Sequence, residues 1–240
     1  MHRWAAAILC GIVSAGASAA HAQSFDGPSF YLEAASDERR RGLSWSEGDP
    51  IVRGGLSLPV THDLTLDTNI STLSDGKRHG DAAVVVDLRA AYARQIGAWR
   101  LAAEGSYHAF PGASGQGYGE LGLTGGILLG PASLDLLAQY APRQAAIGGD
   151  NLYLGAKLGV GIPGTPLTLS GHAGHSSGDT RNAIRTARLR PDGSYWDHGV
   201  ALNYHKGLWT AGLGYANSSI DSAADRHAGA TIIGRFGISF

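Results

Sequence analysis

The segment Thr231-Ile-Ile-Gly-Arg-Phe-Gly-Ile-Ser-Phe240 alternates along its whole length. Ile232, Gly234, Phe236, Ile238 and Phe240 fall on one side, and Thr231, Ile233, Arg235, Gly237 and Ser239 on the other. Side chains along a strand point to opposite faces with a period of two, so this is a strand with one apolar face. A membrane-spanning barrel needs such a strand to close its wall. One face meets lipid, the other meets the lumen, and an aromatic sits at the membrane boundary. Ile232, Phe236, Ile238 and Phe240 are read as the lipid-facing set of a closing strand.

Working outward, eleven more alternating segments appear. They run over Ser29 to Asp37, Pro50 to Val60, Leu64 to Ser74, Asp81 to Arg94, Ala98 to Phe110, Tyr118 to Leu129, Ala132 to Tyr140, Asp150 to Ile162, Pro166 to His175, Ser194 to His205 and Leu208 to Asn217. Each is about the length a tilted membrane strand needs. The connections alternate between long and short, as in outer-membrane barrels. Trp99, Tyr107, Tyr140, Tyr204, Trp209, Tyr215 and Phe240 fall near the ends of apolar faces, where a girdle would lie. The expected fold is all-β: a transmembrane antiparallel up-and-down barrel of about twelve strands. A secreted β-sandwich would put its charges outside and its apolar residues inside; here the charges crowd one face and almost none sit on the other.

The N-terminus gives the compartment. Met1-His-Arg is a short positive segment, Trp4 to Val13 is apolar, and Ala20-His21-Ala22 is a small-x-small cleavage site. Residues 1–22 read as a secretory signal and 23–240 as the barrel. Cys10, the only cysteine, lies within that signal, so no disulfide or cysteine metal site is expected. The 36 glycines are about twice the usual share. The formal net charge of −1 gives no electrostatic case for nucleic acid.

The polar faces carry Arg53, Asp67, Asp87, Arg89, Arg100, Glu104, Glu120, Asp135, Lys157, His172, Asp197, His205 and Arg235, together with Glu33. They are the candidate lumen-lining residues. Opposed charges there would orient small polar solutes or ions in passive diffusion. The same set could instead brace a filled, non-conducting barrel, since twelve strands lie between filled and wide barrels. An enzyme is the rival class: His175-Ser176 at a strand end could serve a rim lipid hydrolase, but no third orienting residue is visible. His172 and His205 are too far apart in sequence for a visible metal site, and no cofactor is expected. The expected partners are outer-membrane lipids, small polar solutes, and the barrel-assembly machinery acting through the C-terminal strand that ends in Phe240.

Several motifs resemble the TorF-type porin family of proteobacterial outer membranes. Arg39-Arg-Arg-Gly-Leu-Ser-Trp-Ser46 is similar to that family's Arg-Gly-x-Ser segment after its first strand. Tyr107-His-Ala-Phe-Pro-Gly112, Gly117-Tyr-Gly-Glu120 and Tyr140-Ala-Pro142 are similar to its Tyr-x-Tyr-Pro-Gly, Tyr-x-Glu and Tyr-Ser-Pro. Asn151-Leu-Tyr-Leu-Gly155, Pro163-Gly164 and Leu167 to Gly174 resemble its Tyr-x-x-x-Gly, Pro-x-Gly and Leu-x-x-His-x-Gly run. The resemblance covers about Tyr31 to His175 and continues more loosely to the end. Leu64-Thr-Leu-Asp-Thr-Asn-Ile70 replaces the family's aromatic, glycine-rich third strand, and the loop from Ser176 to Gly193 has no counterpart. The resemblance implies an outer-membrane barrel more strongly than it implies transport.

Overall fold

A computed structural model describes residues 27–240. The signal expected over 1–22 lies outside the described residues. Twelve strands close into one antiparallel barrel: β1 (Ser29–Ala35), β2 (Ile51–Pro59), β3 (Leu64–Gly76), β4 (Ala82–Ile96), β5 (Trp99–Ala109), β6 (Tyr118–Leu129), β7 (Ala132–Gln144), β8 (Gly149–Gly161), β9 (Leu167–Ser177), β10 (Tyr195–Lys206), β11 (Trp209–Ser218) and β12 (Thr231–Ser239). Each strand pairs with the next, and β12 returns to β1 in the register Tyr31 to Ser239 and Ala35 to Arg235. Just past that ladder, Phe30 and Phe240 exchange backbone hydrogen bonds of 3.1 and 2.8 Å. No strand edge is left open, as a bilayer requires. No described helix is long and apolar enough to cross a membrane.

The burial pattern is inside out relative to a soluble domain. On β6, Leu121 and Leu123 are 62% and 64% exposed, while Tyr118 and Glu120 are 2% and 5% exposed. Exposed apolar side chains recur at alternate positions around the wall, including Phe30, Leu88, Leu136, Val200, Leu213 and Phe236. Such a continuous apolar belt is stable only against lipid. On the closing strand Ile232, Phe236 and Phe240 are exposed, Ile238 is half-exposed, and Phe236 stacks on Trp209 at 5.5 Å.

One rim carries the short turns at 60–63, 97–98, 130–131, 162–166 and 207–208. The two-residue turns need positive φ, which Gly97 and Gly207 supply at +61° and +60°. The other rim carries the segments 36–50, 77–81, 110–117, 145–148, 178–194 and 219–230. A buried cluster forms there from Leu43, Trp45, Leu73, Phe110, Tyr118, Ile147, Leu189 and Ile220. The only large apolar core in the described residues is therefore made by loops and strand tops at one end of the barrel.

Two sequence expectations change. β7 does not stop at Tyr140 but runs to Gln144, leaving only a single 3-10 turn at 145–147 before β8. The extra residues lose the apolar alternation because they rise past the belt. Gln144 instead bridges to β6, accepting from the Gly119 amide and donating to the Gly119 carbonyl, both at 2.8 Å. The charged segment 38–49, read from the sequence as a loop, is buried over most of its length.

Candidate functional site

The segment between β1 and β2 folds into the barrel. Arg39–Arg40 pairs with Leu43–Ser44 as a small antiparallel hairpin, with Arg41 and Gly42 at its tip. Both tip residues have positive φ, +48° and +78°, as the favoured two-residue hairpin turn demands. Its base is pinned by Asp37, which accepts from Ser44 Oγ at 2.6 Å, Ser46 Oγ at 3.0 Å and Arg39 Nε at 3.2 Å. The Trp45 amide donates to the Glu38 carbonyl at 2.7 Å.

The hairpin then reaches both walls. Arg40 donates through both terminal nitrogens to Asp87 on β4, at 3.0 and 2.7 Å, and through Nε to Glu38 at 2.9 Å. Arg41 forks onto Glu120 of β6 at 2.9 and 2.6 Å and reaches Gln139 of β7 at 3.0 Å. Tyr195 of β10 donates to the Arg41 carbonyl at 2.9 Å. A Cβ added at Gly42 would sit 2.8 Å from Asp197 Cβ and 2.9 Å from Ser218 Cβ, so the tip touches β10 and β11. Two-pronged arginine–carboxylate pairs fix orientation as well as distance. Arg40 also lies over the Trp45 ring at 4.1 Å, and Arg41 over Tyr153 at 4.9 Å. The gap beside the hairpin, bordered by Arg41, Trp45, His108, Tyr118 and Glu120, holds about 20 Å³. That is room for one water, so the hairpin packs closely against this side of the wall.

His108 on β5 joins the two anchors. Its Nδ1 lies 2.7 Å from Asp87 and its Nε2 3.6 Å from Glu120. Above the hairpin, His79 is buried between Trp45 (4.2 Å) and Phe110 (4.5 Å, stacked). Arg188 donates to His79 Nδ1 at 3.0 Å, which fixes a neutral imidazole with its proton on Nε2. Burial, reinforced by Arg188 and Arg78, pushes His79 well below its usual pKa. Arg78 donates to the Ser44 carbonyl at 3.1 Å and pairs with Asp225, so the outer loops are tied to the hairpin.

The remaining expected residues lie toward the short-turn rim or in the wall. Arg89 donates to Glu104 at 2.7 Å and Asp67 at 3.0 Å, and Ser57 donates to Asp67 at 2.6 Å. Lys157 is in register with Asp135, and Asp135 with Gly126, whose other neighbour is Arg100. Arg53 connects Glu33 at 2.5 Å with Glu38 at 3.2 Å. Asp197 accepts from Tyr153 at 3.2 Å and lies 3.4 Å from His172. His205 is half-buried opposite Thr210, and Arg235 stands between Ala35 and Gly212. His175 and Ser176 do not meet: alternation puts His175 outside against Trp196, at 4.7 Å, and Ser176 inside, fully buried. No cluster of metal-ligating residues occurs among the described residues.

Sequence reasoning grouped Arg39, Arg40 and Arg41 only with a loop motif, put His108 and Gln139 on polar strand faces, and left all of these and Glu38 out of the candidate lumen set. The available signal was a run of three arginines followed by Gly, Leu and Trp, which is unusually apolar for a solvated loop.

Residues 19–234 match the family described as "Bacterial protein of unknown function (Gcw_chp)". The chain belongs to this family. No curated protein was found to match the sequence. The fold is similar to that of the NanC porin, with 12% identity, 89% of this chain and 99% of that one covered, and a TM-score of 0.60. It is similar to the KdgM porin at 12% identity, 88% and 98% coverage and a TM-score of 0.58. It is also similar to the COG4313 outer membrane channel from Pseudomonas putida F1, at 14% identity, 89% and 96% coverage and a TM-score of 0.53. At these identities the likeness is one of fold: this Gcw_chp chain has the architecture of porin-like outer-membrane barrels.

Proposed function

We propose that the chain is an outer-membrane channel for small polar solutes or ions, closed at rest by the Arg39–Ser44 hairpin. The observation that carries this reading is the pairing of Arg40 with Asp87 and Arg41 with Glu120 across the lumen. A barrel built only as a scaffold has no need of a loop latched through its bore by two-pronged ion pairs. A latch of this kind is reversible, because its parts are side chains and not covalent links. The fold shared with KdgM, NanC and the COG4313 channel supports the membrane setting and a porin-like role. The TorF-type affiliation, export through the periplasm, the mixed-charge route past Arg89, Glu104 and Lys157, and assembly through the strand ending in Phe240 belong to this proposal. The opposed placement of His175 and Ser176 argues against a rim hydrolase built on that pair.

The test is single-channel recording in planar bilayers, comparing the refolded wild type with the variant carrying Arg40→Ala and Arg41→Ala. The wild type should give small or infrequent openings and the double variant larger, longer ones. A heat-modifiable, folded barrel that conducts in neither form would overturn the reading in favour of a structural barrel.

A further inference from the structure

The cations of the lumen are not equally engaged. Arg40, Arg41, Arg53 and Arg89 each hold a carboxylate within 3.2 Å. Arg235 on β12 makes no hydrogen bond or ion pair with any described residue, and its Nε is buried without a partner. The charges around it are Glu33, Arg53 and Glu38, and Arg53 already bridges the two acids.

The wall around Arg235 is bare. Its register neighbours are Ala35 on β1 and Gly212 on β11. A Cβ at Gly214 would lie 3.4 Å from an Arg235 terminal nitrogen, and one at Gly212 would lie 3.0 Å from Asn203 Oδ1. A Cβ at Gly237 would lie 3.0 Å from Thr210 Oγ1. Asn203 donates through Nδ2 to Ser170 Oγ at 3.1 Å, which leaves Oδ1 to accept. An orphaned guanidinium N–H below a glycine floor is costly unless something else satisfies it. The fork of an arginine matches a carboxylate, and an amide oxygen beside a hydroxyl matches an O–H.

We infer that Arg235, with Asn203 and Thr210 over the Gly212–Gly214 floor, forms a binding subsite for small hydroxylated carboxylates in the short-turn half of the lumen. Arg235 takes the carboxylate; Asn203 Oδ1 and Thr210 Oγ1 take hydroxyls. The inference deepens the channel reading, resting on it for the route by which such a solute arrives, and gives that channel a preferred class of cargo.

The test is titration calorimetry of the refolded full chain in zwitterionic detergent, with gluconate as probe and glucose as its uncharged counterpart. Gluconate should bind at least about tenfold more tightly than glucose, two-pronged charged recognition setting the difference. Arg235→Gln should lose that margin, and Arg185→Gln, on the short helix Ala183–Thr186 in the outer segment 178–194, should keep it. Gly214→Leu, whose side chain fills the floor and crowds the Arg235 guanidinium, should weaken gluconate although the arginine is retained. Equal binding of the two probes, or an Arg235→Gln barrel that folds and still prefers gluconate, overturns the subsite. A chain that binds gluconate but never conducts overturns the channel and keeps the subsite. A chain that conducts with no gluconate preference does the reverse.

Discussion

The two halves of the lumen are built from the same chemistry and arranged differently. Toward the long-loop rim, arginines on a loop pair with carboxylates on the wall: Arg40 with Asp87 and Arg41 with Glu120. Toward the short-turn rim, arginine and carboxylates sit on neighbouring strands: Arg89 with Asp67 and Glu104. The first kind of pairing spans the bore, whereas the second runs along the wall from strand to strand. The first half is also drier, since Glu38 and Glu120 keep 0% and 4% of their side-chain exposure and Arg89 keeps 21%. Low-dielectric surroundings strengthen an ion pair and raise the cost of breaking it.

The strongest way to break this contrast is Arg41→Ala. It leaves Glu120 buried with His108, at 3.6 Å, as its remaining ion-pair partner, close to the situation that costs about 3–5 kcal/mol when one partner of a buried pair is removed. The hairpin should be released. A Ser44→Cys reporter, buried in the parent background and keeping an S–H donor where the hydroxyl meets Asp37, should become labelled by a thiol reagent at a much higher rate than the same reporter without Arg41→Ala. Unchanged labelling would mean that the pair does not hold the hairpin.

Gly42→Val attacks the same latch from the opposite wall. A side chain at φ +78° costs about 1–2 kcal/mol, and its Cβ would overlap Asp197 and Ser218. Overpacking adds about 1–3 kcal/mol unless the tip withdraws, so withdrawal is expected and the Ser44→Cys reporter should register it. Gly207→Ala is the matched comparison on the short-turn rim, at φ +60° with nothing within 4 Å of the added Cβ. It should lower stability by about 1 kcal/mol and leave the reporter unlabelled.

The contrast also explains what could be read from the sequence. Twelve strands and their apolar faces were legible because lipid and lumen force opposite choices at every second residue, as at Leu121, Glu120 and Leu123. The alternation gives a face but not a height, so it could not tell Asp87 beneath the cap from Asp67 in the more accessible half. The end of β7 was missed because Ala141 to Gln144 lie beyond the belt, where no solvent enforces the period. The hairpin was missed because its partners lie 47 and 79 residues away in the chain, and a run of arginines ordinarily means a solvated loop.

A smaller effect sharpens the picture of the cap. In the unfolded chain His79 gains a proton as pH falls through about 6.5, whereas in the cap burial and two arginines keep it neutral. The unfolded state then binds more protons, so stability is full above that pH and falls as the pH drops below it. Melting of the outer loops, followed by tryptophan fluorescence of Trp45 in detergent, should shift to lower temperature between about pH 7.5 and pH 5. In His79→Gln the shift should shrink; identical pH slopes in the two proteins would remove His79 from the account.

The smallest expected effect belongs to Asp67→Asn. Arg89 keeps Glu104 at 2.7 Å, Ser57 keeps a partner oxygen, and both members of the lost pair are partly accessible, at 16% and 21%. A screened pair of this kind contributes less than about 1 kcal/mol, so denaturant midpoints should barely move and the Ser44→Cys reporter should stay protected. A loss as large as that of Arg41→Ala would show that the wall pairs are as dry as the latch. The short-turn half would then be packed as tightly as the latched one, and the contrast between the two halves would fail with it.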